Sequence, residues 1–422
     1  MIERLPTPWG LVRLGVAPDH PNIKAVSKVF EKIAAQPGFR FLGNVEVGRD
    51  LTHDDLVRLY DAIVYAVGAQ TDRRMGIPGE DLEGSWPATV FVAWYNGHPD
   101  FQDLQFDLSC ERAVVVGNGN VAVDVARMLA LAEEEIVPTD TTDEAIEAIL
   151  GSPIEEIVML GRRGPAQASF TTPELKELGE LADTDVLVDP AELELEPASE
   201  AALASSTVAR NLEVLREYAG RAPSGKRRAL RLRFRVSPVE IVGDGKVEAV
   251  EVARNVLVAD ENGRVSAAPT GDREVIPCGI VLRSVGYRGI PVPGVPFDEE
   301  HGTITNAGGR VLDAHGEPVV GLYCAGWIKR GPTGIIGTNK KDAAETVGHL
   351  LEDSRAGILP RAEELTAEAV TELLAEREVE VVTHDGWAAI DAVERARGVE
   401  HGRPRIKLTS WDELLSVARA SA

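Results

Sequence analysis

The run Gly117-Asn118-Gly119-Asn120-Val121-Ala122 follows Val114-Val115-Val116 and opens an Ala/Val/Leu-rich stretch. A buried strand is expected to pass there through a tight glycine loop into a helix. In the GxGxxA arrangement Gly117 makes the turn, Gly119 lets the backbone approach a pyrophosphate, and Ala122 allows close helix packing. The amides at the start of the helix are the anion site. The bland alternative is a structural turn, because the bare pattern recurs by chance. The next strand, expected over 154–160, ends in Gly161-Arg162-Arg163-Gly164, where an NAD site more often carries a carboxylate for the ribose hydroxyls. Two arginines at that place favour a 2′-phosphate, hence NADPH, over a merely solvated charge pair.

NADPH needs an acceptor, and the chain carries no iron–sulfur or haem signature, which leaves a flavin as the candidate second cofactor. Residues 324–340, Cys-Ala-Gly-Trp-Ile-Lys-Arg-Gly-Pro-Thr-Gly-Ile-Ile-Gly-Thr-Asn-Lys, place small residues at a strand end and then a glycine-rich entry into a helix. Such a helix start can set amides near an electron-rich ring system. A plain loop with a helix cap is the competing reading.

These segments need elements to position them. The apolar run 61–69 closes on Gly68, and a similar phrase returns at 318–326. Between them lie the strand and helix of the glycine motif, a helix over 140–150 and the 154–160 strand. From 226 to 285 short alternating pieces separated by DG and ENG turns read as a local antiparallel elaboration ending in a buried strand. Residues 191–221 are expected to be helical, 220–228 an exposed loop, and the tail from 362 mostly helical.

At 422 residues the chain exceeds one comfortable core. With 44 Lys+Arg against 68 Asp+Glu its formal charge is −24, which argues against a dedicated nucleic-acid binder. Cys110, Cys278 and Cys324 form no CxxC pair, so cysteine-ligated clusters, zinc knuckles and a disulfide scaffold are not expected, nor is any metal site. A cytoplasmic protein without stable membrane contact, monomeric or weakly dimeric, is the simplest expectation.

The sequence resembles the adrenodoxin-reductase-like branch of ferredoxin–NADP⁺ reductases. The matching phrases are LPTPWGLVRLGVAPDHP at 5–21, GNGNVAVDVAR at 117–127, GRRGPAQASFTTPELKEL at 161–178, VLRSVGYRG at 281–289, GWIKRGPTGIIGTNKKDA at 326–343 and HGRPRIK at 401–407. The resemblance implies an α/β protein of two Rossmann-like, three-layer nucleotide-binding domains of the glutathione-reductase-like type. An FAD domain would comprise 1–71 and 291–422, with an NADP domain, 72–290, inserted in it. It also implies FAD, NADP(H) and electron exchange with a small acidic iron–sulfur ferredoxin.

Carried over by residue, the resemblance puts Glu3 at the adenosine ribose of FAD and Leu11 and Val47 along the FAD site. Trp327, Gly334, Ile335 and Ile336 would follow the pyrophosphate–isoalloxazine region, with Gly334 also near the nicotinamide. Asn118, Gly119, Asn120 and Val121 would hold the NADP pyrophosphate and Arg162 and Arg163 its 2′-phosphate, while Glu174 would bind or orient the same nucleotide. His20 and Glu177 match the active-site His and Glu near the flavin. Their chemistry stands without the family: His20 can relay a proton as flavin charge changes, and Glu177 can orient its ring. Taken alone, His20 reads as a turn-stabilising histidine and Glu177 as a solvated helix residue. Glu174 and Glu177, at i and i+3, can share a helix face.

The resemblance departs at the start: the family's opening strand, GxGxxG/A loop and helix have no counterpart before Met1-Ile2-Glu3, so the FAD domain is expected to be N-terminally truncated; either the natural protein begins further upstream, the favoured reading, or this is a shortened variant with damaged flavin binding. Arg73-Arg74, Arg283, Arg288, Lys329-Arg330 and Lys340-Lys341 are candidate positive areas for an acidic partner. Competing functions are an NADPH-dependent flavin oxidoreductase with another acceptor, and a nucleotide-binding protein that does not turn over.

Overall fold

A computed structural model describes residues 1–420 except 335, 364, 365 and 367, with the side chains of Ile336 and Thr338 also outside the description. Continuous apolar strands without polar alternation suit a parallel sheet covered on both faces. Ser85–Pro87, Ile280–Arg283, Arg112–Val116, Glu156–Gly161, Arg228–Phe234 and Thr184–Val188 lie in that order in a six-stranded sheet. Every neighbouring pair in it is parallel. Ala113, Val115, Ile157 and Met159 turn to one face, where they meet Ala122, Val123, Ala126 and Leu129 of the Asn120–Ala130 helix and Leu175 and Leu178 of the Thr172–Leu178 helix. Val114, Val116, Val158 and Leu160 turn to the other face, against Val236, Val250, Val252 and Ile276 of a three-stranded antiparallel sheet. Helices, parallel sheet and antiparallel sheet thus make three layers. Each fully buried Val, Leu or Ile contributes roughly 1.5–3 kcal/mol, so packing on both faces holds the Arg112–Val116 strand behind the glycine loop.

The expected antiparallel elaboration over 226–285 is corrected in one respect. Arg228–Phe234 belongs to the parallel sheet, and only Val236–Val242, Ala249–Ala259 and Val265–Pro277 pair antiparallel. Its alternation has a physical cause: Leu230, Leu232 and Phe234 are buried, while Arg231 reaches Glu156 at 2.8 Å and Arg233 reaches Glu192 at 3.1 Å and Glu274 at 3.0 Å. Carboxylates on neighbouring elements neutralise the face that reads as solvent-exposed. In the 191–221 stretch, Ser206–Gly220 is α-helical but Pro197–Ala204 is a 3₁₀ helix.

A second sheet runs Ile63–Tyr65, Pro318–Cys324, Arg310–Leu312, Asn306–Ala307. Its first pair is parallel, with Tyr65 opposite Cys324, so the two similar phrases far apart in sequence are neighbours. Leu42, Leu56, Val311, Leu322 and Leu374 share one core there, and Ile2 bridges Leu42. The C-terminal helices His384–Glu400 and Trp411–Arg419 pack through Trp387, Ile390 and Leu414 onto Phe41. The chain crosses between the sheets at Thr71–Asp72 and Tyr287–Arg288, which pair antiparallel with each other. Among the described residues no helix is long and apolar enough to cross a membrane.

Candidate functional site

Gly117 has φ +139°, and an added Cβ would fall 2.3 Å from the Ser284 carbonyl oxygen, so only glycine fits the turn. Gly119 caps the Asn120–Ala130 helix without a side-chain hydrogen bond, and a Cβ there would meet nothing within 4 Å. The space beside the backbone at the helix start is therefore open, and a helix start of this kind can receive an anion. Asn118 and Asn120 do a further job: the Asn118 carbonyl accepts from Ser169 N at 3.0 Å and Phe170 N at 3.1 Å, and Asn120 Oδ1 accepts from Thr171 N at 2.8 Å. The loop thus ties down the start of the Thr172–Leu178 helix, which carries Glu174 and Glu177. Val121 continues the first turn and is half-buried.

Arg162 and Arg163 leave the end of the Glu156–Gly161 strand, held by their main chain: Asn255 Nδ2 donates to the Arg162 carbonyl at 2.8 Å and Arg235 N to that of Arg163 at 2.9 Å. Among the described residues neither side chain forms an ion pair. Burial, followed by the fields of Arg162 and Arg264, pushes the Arg163 pKa down. A cluster of cations without counter-charge is stabilised by a bound anion. Arg264, on the tight turn before Val265–Pro277, has no signal in the local sequence and joins the cluster only through the hairpin.

His20, Glu174 and Glu177 come together around a residue that sequence reasoning missed, Arg127. His20 Nε2 lies 2.8 Å from Glu177 Oε2 and 3.8 Å from Glu174 Oε2. The buried Arg127 guanidinium contacts Asp19 at 2.6 Å, Asp124 at 2.9 Å, Glu174 at 3.3 Å and Glu177 at 3.4 Å. Burial, then the charge of Asp124, pushes the Glu174 carboxyl up to about 7. Burial also raises Asp124, whereas Asp19, despite burial, is held low by its bidentate bonds to Arg127. Arg127 itself stays charged: burial opposes its protonation, but Asp19 and the other carboxylates outweigh it. The signal available in sequence was the helical spacing of Asp124 and Arg127, i and i+3 just behind the glycine loop.

On the side of the second sheet, Trp327 opens a short helix after Gly326, stacks on Tyr287 at 5.6 Å and 14°, and has a buried Nε1 with no partner among the described residues. A Cβ on Gly326, Gly331 or Gly334 would meet nothing within 4 Å, and all three have positive φ. An orphaned indole N–H beside open backbone fits a bound polar ring system. Ile335 lies outside the described residues, as does the side chain of Ile336, which begins the Ile336–Arg355 helix. Glu3 follows the Ile2 bridge and accepts from Leu5 N at 3.1 Å, its carboxyl raised by burial. Val47 is half-buried, while Leu11 is 56 % exposed.

The candidate positive areas are largely neutralised. Arg74 pairs with Asp81 at 2.6 Å, Arg288 with Glu299 at 2.8 Å, Lys329 with Glu345 at 2.6 Å and Arg330 with Asp342 at 3.5 Å, and Arg283 binds Glu80 in the interior. Arg73, Lys340 and Lys341 remain exposed.

Residues 16–160 match the pyridine nucleotide-disulphide oxidoreductase family. The chain is 52 % identical over 418 residues to the NADPH-ferredoxin reductase FprA of Mycobacterium leprae, covering 99 % of this chain and 91 % of that one. It is 39 % identical over 434 residues to the mitochondrial NADPH:adrenodoxin oxidoreductase of Arabidopsis thaliana, covering 99 % and 89 %. A solved structure of Mycobacterium tuberculosis FprA in complex with NADPH superimposes with a TM-score of 0.93 at 50 % identity, covering 99 % of this chain and 92 % of the other. With its paired sheets, glycine loop and double arginine, the chain belongs to the NADPH–ferredoxin reductase family that includes FprA and the adrenodoxin reductases.

Proposed function

We propose that this chain is an FAD-dependent NADPH–ferredoxin reductase, passing electrons between NADPH and a small iron–sulfur protein of the ferredoxin or adrenodoxin kind. The observation that carries it is the 2.8 Å contact of His20 with Glu177, which joins the segment leading into the second sheet to the helix fixed by the NADP-type glycine loop. Residues 72–290 form the NADP domain, inserted between 1–71 and 291–422 of the FAD domain; the Thr71–Asp72 and Tyr287–Arg288 pairing supports those limits.

FAD, when bound, would supply the chemistry that links a two-electron donor, NADPH, to a one-electron partner. The chain supplies position and charge. The amides of Asn118, Gly119, Asn120 and Val121 hold the nucleotide pyrophosphate, and Arg162 and Arg163 select the 2′-phosphate. Glu3, Leu11, Val47, Trp327, Gly334, Ile335 and Ile336 hold FAD, the Trp327 indole N–H gaining a partner when the cofactor is in place. His20 Nε2 faces Glu177, and Glu174, its carboxyl pushed up to about 7 by burial and by Asp124, is only about half ionised at pH 7 and so limits the negative charge close to the nicotinamide. Three free thiols, Cys110, Cys278 and Cys324, suit a reducing cytoplasm.

The test is to purify the protein with FAD, record its visible spectrum, add NADPH without oxygen and then add oxidised ferredoxin. Flavin absorbance that bleaches with NADPH and returns as ferredoxin is reduced supports the reading. A protein that bleaches but reduces only dyes, or that binds NADPH without bleaching, overturns it.

A further inference from the structure

Beside the catalytic pair lies a second buried cluster. Lys24, one turn beyond His20, places Nζ 2.7 and 2.9 Å from the two carboxylate oxygens of Asp140 and 3.2 Å from Asn96 Oδ1. From the far end of the chain, Lys407 Nζ reaches the same Asp140 at 3.1 Å and the same Asn96 oxygen at 3.4 Å. The Lys407 side chain is 1 % exposed, that of Asp140 8 %, and Asn96 is fully buried. Two lysines share one carboxylate, with Arg13, Arg405 and Glu394 facing them from behind.

The elements involved come from both units. Asn96 ends the Ala88–Tyr95 helix and Asp140 precedes the Asp143–Gly151 helix, both packed on the parallel sheet. Lys407 adjoins Leu408, which packs with Phe41 and Trp387, and Lys24 follows the Gly10–Leu14 helix, whose Arg13 donates to Glu394 at 2.8 Å and lies over the Trp387 ring. The strap 403–411 crosses the seam and is fastened along its length. Arg403 donates to Thr139 O at 2.9 Å and also binds Thr141 O and Asp143, Leu408 N donates to Glu394 at 2.9 Å, and Trp411 Nε1 donates to Asp100 at 2.9 Å. At the chain crossings Thr71–Asp72 pairs with Tyr287–Arg288 and Arg73 N donates to Gly286 O at 2.9 Å, a short ribbon too slight by itself to fix an angle between units.

We propose that Asp140 is a positioning residue for electron transfer: by clasping Lys24 and Lys407 it sets the NADP-binding unit against the FAD-binding unit, so the nicotinamide reaches the flavin in a preset geometry. This rests on the reductase reading, and in the test the unmodified protein reports on that reading alone, through its own bleaching by NADPH.

The comparison uses the FAD-loaded protein, Asp140→Asn, Lys407→Met and the double variant. Anaerobic stopped-flow bleaching by NADPH is expected to slow tenfold or more in Asp140→Asn, which releases both lysines, and at least threefold in Lys407→Met, which releases one; the double variant is expected to be no slower than Asp140→Asn, because that change already opens the clasp. FAD content and the Kd of 2′,5′-ADP, which touches only the NADP-binding unit, are expected to stay within twofold. In the cofactor-free proteins, hydrogen exchange of backbone amides in 139–143 and 403–408 is expected to rise in all three variants. Bleaching within twofold of the unmodified protein, or losses that multiply in the double variant, would overturn the proposal. Should Asp140→Asn fail to fold, Lys407→Met, which leaves Lys24 and Asp140 paired, decides by the same twofold criterion.

Discussion

His20 Nε2 and Glu177 Oε2 sit 2.8 Å apart although 157 positions separate them in sequence, and the bond joins the N-terminal segment to the Thr172–Leu178 helix on the parallel sheet. It puts an imidazole under the control of a carboxylate that is itself 3.4 Å from Arg127. A ring fixed in this way can present one defined nitrogen to the reacting centre.

Glu177→Gln keeps the reach of the side chain and removes its charge, and His20→Ala removes the ring. Flavin reduction by NADPH is expected to slow at least tenfold in both, with FAD content retained. Stopped-flow rates unchanged in either variant would reject a direct role for that residue.

The double variant Arg162→Ala/Arg163→Ala removes the two charged hydrogen-bond donors proposed for the 2′-phosphate. At about 1.5–3 kcal/mol for each such bond, KM for NADPH should rise on the order of 10²–10⁴-fold. KM for NADH, which lacks the phosphate, should change less than threefold. Steady-state kinetics with both nucleotides decides it, and equal effects would reject the assignment.

Removing Arg127 leaves Asp19 and Asp124 buried without their counter-ion. Arg127→Met is expected to cost about 3–5 kcal/mol in urea denaturation. Adding Asp124→Asn to that variant should restore part of the loss, because one of the stranded charges is gone.

Glu174 gives stability a pH dependence of opposite sign to an ordinary ion-paired carboxylate. Its folded pKa, about 7, lies above the unfolded value near 4.5, so between them the folded state holds more protons. Stability from this group is therefore full below about pH 4.5 and falls as pH rises through 7, by an amount of order 1–3 kcal/mol. Glu174→Gln should remove that fall. The measurement is thermal or urea denaturation of both proteins at pH 5 and pH 8, and parallel pH profiles would refute it.

The glycine loop, its strand and helix, and the paired arginines were legible in sequence because they are local: a turn with φ +139° needs glycine, and a buried parallel strand needs an unbroken apolar run. Resemblance to a family supplied His20 and Glu177, which spacing alone reads as a turn residue and a surface residue. What no local pattern could supply was anything assembled across the seam. Arg127 sits at 3 on a helical count from Asp124, yet its other partners, Asp19, Glu174 and Glu177, arrive from two distant segments. The arginines of Arg228–Phe234 look like a solvated strand face until Glu156, Glu192 and Glu274 are brought beside them. Lys24, Asp140 and Lys407 are unremarkable charges in the chain; burial around one carboxylate is what turns them into a clasp. The sequence determined each nucleotide loop by backbone sterics, whereas tertiary packing alone decided which charges lose water and must therefore find each other.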